Sequence, residues 1–125
     1  FEKLNSGKTG MDLFIENFDP KLVSFEIDVF WCAIGGWDPI ETLKKLKGRV
    51  SQVHLKDLEK GTPVIFDEGK VPATAFKEVG EGTIDMKAVL DTAQEIGVAQ
   101  CHVEQDQSSD PVASINKSYK NLAKL

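Results

Sequence analysis

The sequence predicts an α/β fold of the (β/α) TIM-barrel type, in which parallel strands alternate with outer helices. Three segments alternate apolar with polar residues, as strands with two different faces do, and a helical pattern follows each one. Strands of a parallel sheet that helices cover on both sides are apolar at nearly every position, so these polar faces need another environment. The interior of a barrel near its catalytic mouth provides one. An open sheet with one solvent-exposed face is the alternative.

The strands are predicted where the alternation is clearest. In the second strand, Val53 and Leu55 form an apolar face. His54 and Lys56 lie between and beyond them on the polar face. The first and third strands repeat this pattern, and the three predicted strands cover residues 22–28, 49–56 and 98–104.

Three helices are predicted from aspartate caps that precede stripes of apolar residues. They begin at Asp38, Asp85 and Asp110. The third helix carries on one side Val112, Ile115 and Tyr119. A shorter helix is predicted over residues 11–17. The long connection from about residue 57 to residue 83 has no predicted element, and loops of that length are usually functional or disordered.

The composition is that of one folded domain, with 41% hydrophobic and 28% charged residues in 125. The net charge of −5 is spread along the chain, whereas nucleic acids and anionic membranes favour clustered Lys and Arg. No apolar run approaches the roughly 18 residues of a membrane helix. We therefore expect no nucleic-acid partner, no membrane and a cytoplasmic location. Cys32 and Cys101 are expected to be small buried residues and not a disulfide framework.

The length predicts half of a barrel. A complete eight-stranded barrel needs about 250 residues, whereas this chain of 125 residues supplies three strands, or four if residues 1–2 end another. Because the chain begins with Phe1, we expect it to be processed or a fragment. Residues 1–125 are then the single C-terminal portion of a barrel. Its exposed strand edges are expected to pair with the missing N-terminal half-barrel or with a second copy.

Three polar residues mark a candidate metal site. Asp28, His54 and Glu104 each end a predicted strand on its polar face, which is where barrel enzymes place catalytic groups. Two carboxylates and one imidazole suit a divalent ion such as Mn²⁺, Co²⁺, Zn²⁺ or Mg²⁺. Taken singly, a strand-end aspartate is more often a helix cap and a histidine more often a satisfied polar residue. Their joint placement favours the metal site.

Four segments resemble the last strands of the xylose-isomerase-like sugar phosphate isomerase/epimerase family. They read "FEIDVFW", "GRVSQVHLKD", "GEGTID" and "HVEQD". The superfamily also includes ketose 3-epimerases, inosose dehydratases and endonuclease IV. The resemblance implies that Asp28, His54 and Glu104 bind the metal from the sixth, seventh and eighth strands, with a fifth-strand ligand before Phe1. It also implies a sugar or sugar phosphate substrate and proton transfer next to its carbonyl through an enediolate.

The resemblance implies further roles around the ligands. Glu104 and Lys56 become the catalytic groups, and Lys56 would hold a phosphate or an enediolate oxygen. Pairing of Lys56 with Glu26 or Asp106 is the alternative. His102, one layer deeper than Glu104, and Asp106 are expected to support the ligands by hydrogen bonds.

Substrate contacts are expected from Trp31, Lys56 and Glu81. Glu81 would bridge to His54 or to substrate, and an ordinary solvated turn is the alternative. Ketose epimerases often read Asp-x-x-His on the sixth strand, whereas Trp31 takes the histidine's position here. The change argues against tagatose- or psicose-type activity and leaves a larger or modified sugar open.

Other functions stay open. The chain could be a non-catalytic half-barrel fragment or a sugar-binding module, or a related lyase or dehydratase. An endonuclease-IV-like hydrolase is the weakest alternative, because it would need more histidines and a basic surface than this acidic chain with two histidines provides.

Overall fold

A three-stranded parallel sheet forms the centre of the computed structural model, which describes all residues from 1 to 125. Its strands are β1 (Phe25–Asp28), β2 (Val50–Leu55) and β5 (Gln100–Val103), in the order β1-β2-β5. In the register, His54 lies between Asp28 on β1 and His102 on β5. The predicted strands and their parallel direction are confirmed.

Five helices accompany the sheet. They are α1 (Gly10–Asn17), α2 (Val29–Ile34), α3 (Pro39–Lys45), α4 (Met86–Glu95) and α5 (Pro111–Leu122). The predicted caps Asp38, Asp85 and Asp110 each accept a hydrogen bond from a backbone N–H in the first turn. None of the helices combines the length and the apolar character that a membrane crossing requires.

Helix α2 was not predicted. It begins directly after β1, and the side chain of Asp28 caps it by accepting a hydrogen bond from the Trp31 N–H at 3.0 Å. Its sequence shows no polar stripe because the helix is buried on more than one side, at Val29, Phe30, Cys32 and Ile34. Asp28 is therefore a helix cap as well as a strand-end residue.

The connection after β2 is also more ordered than predicted. Two short strands, β3 (Asp57–Leu58) and β4 (Phe76–Lys77), pair in antiparallel fashion across it. Phe76 stacks on Phe30 of α2, with ring centroids 4.3 Å apart. This hairpin therefore closes a second apolar cluster, separate from the core between the sheet and helices α3 and α4.

Both edges of the sheet lack a neighbouring strand, since β1 and β5 are its outer members. Cys101 on the edge strand β5 is exposed, so the prediction that it is buried is wrong, whereas Cys32 is buried as predicted. On α5, the side with Val112 and Tyr119 faces solvent, with 72% and 71% of these residues exposed. Both edges of the sheet and the Val112–Tyr119 side of α5 are therefore surfaces without a partner.

Candidate metal centre and sugar site

Asp28, His54 and Glu104 converge at the carboxyl end of the parallel sheet. Each offers one ligand atom, and these atoms lie within 4.8 Å of one another. His54 Nδ1 is 3.0 Å from Glu104 Oε2 and 3.9 Å from Asp28 Oδ2. Donors that share one ion at about 2.1 Å lie roughly 3 to 4 Å apart. Both distances from His54 Nδ1 fall in this range, so the three side chains form a candidate site for a divalent ion.

The parallel register explains this convergence. Asp28 lies opposite His54 in the ladder, and the Glu104 N–H donates to the Leu55 carbonyl at 3.2 Å, which continues the β2–β5 pairing by one step. Asp28 and His54 therefore project from the same face at the same level, and Glu104 projects from that face two residues farther along, level with Lys56.

Glu26 orients the imidazole of His54 from the other side. His54 Nε2 lies 3.2 Å from Glu26 Oε1, while Nδ1 points towards Glu104 and Asp28. A carboxylate on the second ring nitrogen is the usual support of a metal-binding histidine. One alternative paired Glu26 with Lys56. In the structure Glu26 pairs with His54 instead.

Lys56 occupies the centre of a group of carboxylates. Its side chain is only 3% exposed, and Nζ lies 3.1 Å from Asp28 Oδ2 and 2.9 Å from Glu104 Oε2. Nζ also donates to Asp106 Oδ2 at 2.7 Å. Lys56 thus has the Asp106 partner that one alternative assigned to it, and it also touches two of the three candidate ligands.

These contacts set the charges of the site. Burial raises the pKa of Asp28, although the Trp31 N–H and the ammonium of Lys56 oppose the shift. The hydrogen bond from Lys56 holds the pKa of Glu104 below its usual value. Burial alone would lower the pKa of Lys56, but hydrogen bonds with Asp106 and Glu104 and the charge of Asp28 raise it. At neutral pH, Glu104 is therefore an anion beside a charged lysine.

Comparisons with known proteins bear on the fold and the family of this chain, although a scan against protein-family models finds no match. The chain is 34% identical over 91 residues to an inosose dehydratase of Clostridium tetani. The aligned segment covers 68% of this chain and 30% of that protein. A sugar phosphate isomerase/epimerase structure from Parabacteroides distasonis has a TM-score of 0.72 at 24% identity and covers 95% of this chain and 37% of its own. The structure of IolI protein with a zinc atom has a TM-score of 0.63 at 24% identity and covers 82% of this chain and 37% of its own.

The chain belongs to the xylose-isomerase-like TIM-barrel family. It spans between 30% and 39% of the length of the curated relatives that it matches. The three-stranded sheet with its helices is therefore part of a barrel and not a complete one.

Beside the candidate ligands of this xylose-isomerase-like chain, Asp57 organises the backbone. Asp57 is fully buried, and its two carboxylate oxygens accept four backbone N–H groups at 2.9 to 3.0 Å. The donors are Leu58, Gly80, Gly82 and Ile84. A side chain at position 82 would collide with the Asp57 carboxylate, so this position requires glycine. Sequence reasoning missed Asp57, although the "HLKD" segment ends with it and the "GEGTID" segment contains three of its four donors.

Glu81 and His102 do not make the contacts with the candidate ligands that were expected of them. Glu81 is exposed and accepts a hydrogen bond from the Asn121 side chain of α5 at 3.2 Å, so the expected bridge to His54 is not formed. The N–H groups of Gly80 and Gly82 are directed to Asp57, and the side chain between them points away. His102 is exposed and meets His54 only as a perpendicular ring at 6.0 Å, without a hydrogen bond to a candidate ligand.

The aromatic residues border a cavity at the open edge of β1. The cavity has a volume of about 290 Å³, and its lining includes Asp28, Trp31 and Trp37. Trp31 packs edge-on against Phe30, and Trp37 packs edge-on against Phe1 at 5.0 Å. The cavity therefore connects one candidate metal ligand, Asp28, with Trp31, the aromatic residue that was expected to contact substrate.

Proposed function

We propose that this chain supplies the metal-binding part of a divalent-metal-dependent sugar or sugar phosphate isomerase/epimerase. Residues 1–125 would be the C-terminal portion of its barrel. The convergence of Asp28, His54 and Glu104 at the carboxyl ends of three parallel strands carries the proposal. The zinc atom bound in the IolI structure supports a divalent ion in this fold. Mn²⁺, Co²⁺, Zn²⁺ and Mg²⁺ all suit these donors.

The chemistry we propose is proton transfer next to a sugar carbonyl. A divalent ion held by the three residues would act as a Lewis acid that polarises the carbonyl and stabilises the negative charge of an enediolate. Glu104, an anion with 39% of its side chain exposed, would accept the proton from the carbon next to the carbonyl. Lys56 would donate a hydrogen bond to a substrate oxygen while Asp106 holds its position.

Dehydration of a cyclic ketone is a second candidate, because curated relatives are named inosose dehydratases. It begins with the same proton transfer to Glu104. The electrons of the broken C–H bond would then form a C=C bond while the neighbouring C–O bond breaks. The departing hydroxide would take up the proton that Glu104 holds and leave as water, which returns Glu104 to its anionic form. Lys56 would lie close to the departing oxygen and support its departure by a hydrogen bond.

A hydrogen-exchange experiment would test both the isomerase/epimerase and the dehydratase candidates. Protein supplied with Mn²⁺ and a ketose or an inosose in D₂O is expected to place deuterium on the carbon next to the carbonyl, observed by NMR. Glu104→Gln should remove this exchange, because an amide cannot accept the proton. Trp31→Ala should retain exchange and raise the sugar concentration needed, because an aromatic wall of the site is lost. Sugar binding without any exchange would leave only the sugar-binding module.

We also infer that the missing N-terminal half-barrel completes the site. The free edges of β1 and β5, the exposed apolar side of α5 and the cavity next to β1 support this inference. The chain spans only 30% of the Clostridium tetani relative, which leaves room for such a half.

The chain by itself is therefore expected to associate. Light scattering should give a mass above 13.8 kDa that rises with concentration, because two copies can pair at their free edges. Replacing the exposed β5 residue Cys101 with lysine should reduce the association, whereas Lys124→Glu, away from the sheet, should not. A monodisperse monomer with cooperative unfolding would contradict the expectation.

A further inference from the structure

The ammonium group of Lys56 contacts the same carboxylate oxygens that face the candidate metal position. Nζ lies 3.1 Å from Asp28 Oδ2 and 2.9 Å from Glu104 Oε2. These two oxygens are also the ones that approach His54 Nδ1. A metal ion bonded to either oxygen at about 2.1 Å would therefore lie within roughly 5 Å of Nζ. Both cations would use the same pair of anions.

Burial makes this overlap electrostatically important. The Lys56 side chain is 3% exposed, so water screens its charge only weakly. The site also contains four carboxylates, because Glu26 and Asp106 border the two candidate ligands. Lys56 is the one lysine that neutralises part of this negative charge. A divalent ion that binds here meets a fixed positive charge and carboxylates that are already paired.

Asp106 provides a partner for Lys56 outside the triad. Its contact is the shortest of the three, at 2.7 Å, and Asp106 does not belong to the three converging candidate ligands. Lys56 can therefore give up Asp28 and Glu104 and remain paired with Asp106. Lys56 therefore differs from a lysine in an ordinary structural ion pair, because it can release the candidate ligands without losing its only partner.

We propose that Lys56 is a built-in competitor of the metal ion, which lowers the metal affinity of the triad, and that Asp106 limits this competition by pairing with the lysine outside the triad. The inference rests on the proposed metal site. It assigns opposite effects to two adjacent charges. Loss of the lysine charge strengthens metal binding, and loss of the Asp106 charge weakens it.

The test is calorimetric titration of the purified protein with MnCl₂ alone. Lys56→Met and Lys56→Gln are expected to bind Mn²⁺ at least tenfold more tightly than the unmodified protein, and Asp106→Asn several-fold more weakly. Lys56→Gln retains hydrogen-bond donors, so it serves if the methionine variant does not fold. Lys124→Met is the matched control. The Lys124 side chain hydrogen-bonds to Asn121 and not to the candidate ligands, and its loss changes the net charge by the same amount as the loss of Lys56.

The outcomes separate the inference from the proposed function. Unchanged or weaker Mn²⁺ binding in the folded Lys56 variants, with binding by the unmodified protein, would overturn the inference and leave the metal site intact. A similar gain in Lys124→Met would also overturn it, because net charge alone would then explain the effect. Absence of Mn²⁺ binding in every variant would overturn the proposed metal site as well.

Discussion

Replacement of His54 or Glu104 by alanine is expected to abolish measurable metal binding. Each change removes one of three converging donors, and the remaining two cannot hold a divalent ion on a rigid frame. Loss of residues that merely support ligands already weakens metal binding by about 10-fold to 100-fold, so loss of a ligand should exceed that range. Calorimetric titration with Mn²⁺ and Zn²⁺ measures the effect.

His102→Ala is the matched control for this experiment. His102 lies beside His54 on the same face, with ring centroids 6.0 Å apart, yet it makes no hydrogen bond to a candidate ligand. Its removal should leave the metal affinity nearly unchanged. Equal losses in His54→Ala and His102→Ala would contradict the assigned triad. Asp28 is less suitable as a test, because it also caps α2 and its loss would disturb the fold.

Asp57→Asn is expected to destabilise the protein more than any change at the surface. An asparagine presents one oxygen and one NH₂ group to a position where four backbone N–H groups donate to a carboxylate. The two N–H groups that donate to the replaced oxygen would then lose their acceptor. We expect a loss of about 3 to 5 kcal/mol in the free energy of unfolding, measured by urea denaturation.

Asp67→Asn provides the comparison. Asp67 also accepts a backbone hydrogen bond, from Gly69 at 3.1 Å, but it is exposed, and asparagine caps equally well. This variant should lose less than about 0.5 kcal/mol. Similar effects at positions 57 and 67 would show that burial and the four donors do not set the stability of this loop. Folded Asp57→Asn protein should also bind Mn²⁺ more weakly, because β2, which carries His54, ends two residues before it.

The parts of the fold that depend on local patterns could be predicted from the sequence. An aspartate cap is read from adjacent residues, so the starts of α3, α4 and α5 were correct. Helix α2 was missed because burial on several sides removes the polar stripe by which a helix is recognised. The β3–β4 hairpin was missed because strands of two residues carry too little alternation.

In the candidate site, too, local sequence patterns predicted some features and missed others. Convergence of Asp28, His54 and Glu104 follows from strand ends in a parallel sheet, and sequence alternation is sufficient to predict it. The arrangement of Asp57 could not be predicted in this way, because its distant partners are backbone N–H groups 23 to 27 residues later in the chain. Any residue except proline carries such a group, so the side chains give no direct signal.

The two carboxylate oxygens of Asp28 make different contacts, and this difference bears on how Asp28 would coordinate an ion. Oδ1 accepts the N–H of Trp31 at 3.0 Å at the start of α2, while Oδ2 faces His54 and Lys56. A bidentate contact with an ion would take Oδ1 away from the helix and leave the Trp31 N–H without its cap. Asp28 is therefore suited to coordinate through a single oxygen. One-oxygen coordination would leave an additional position on the proposed ion for a hydroxyl or carbonyl group of the proposed sugar substrate.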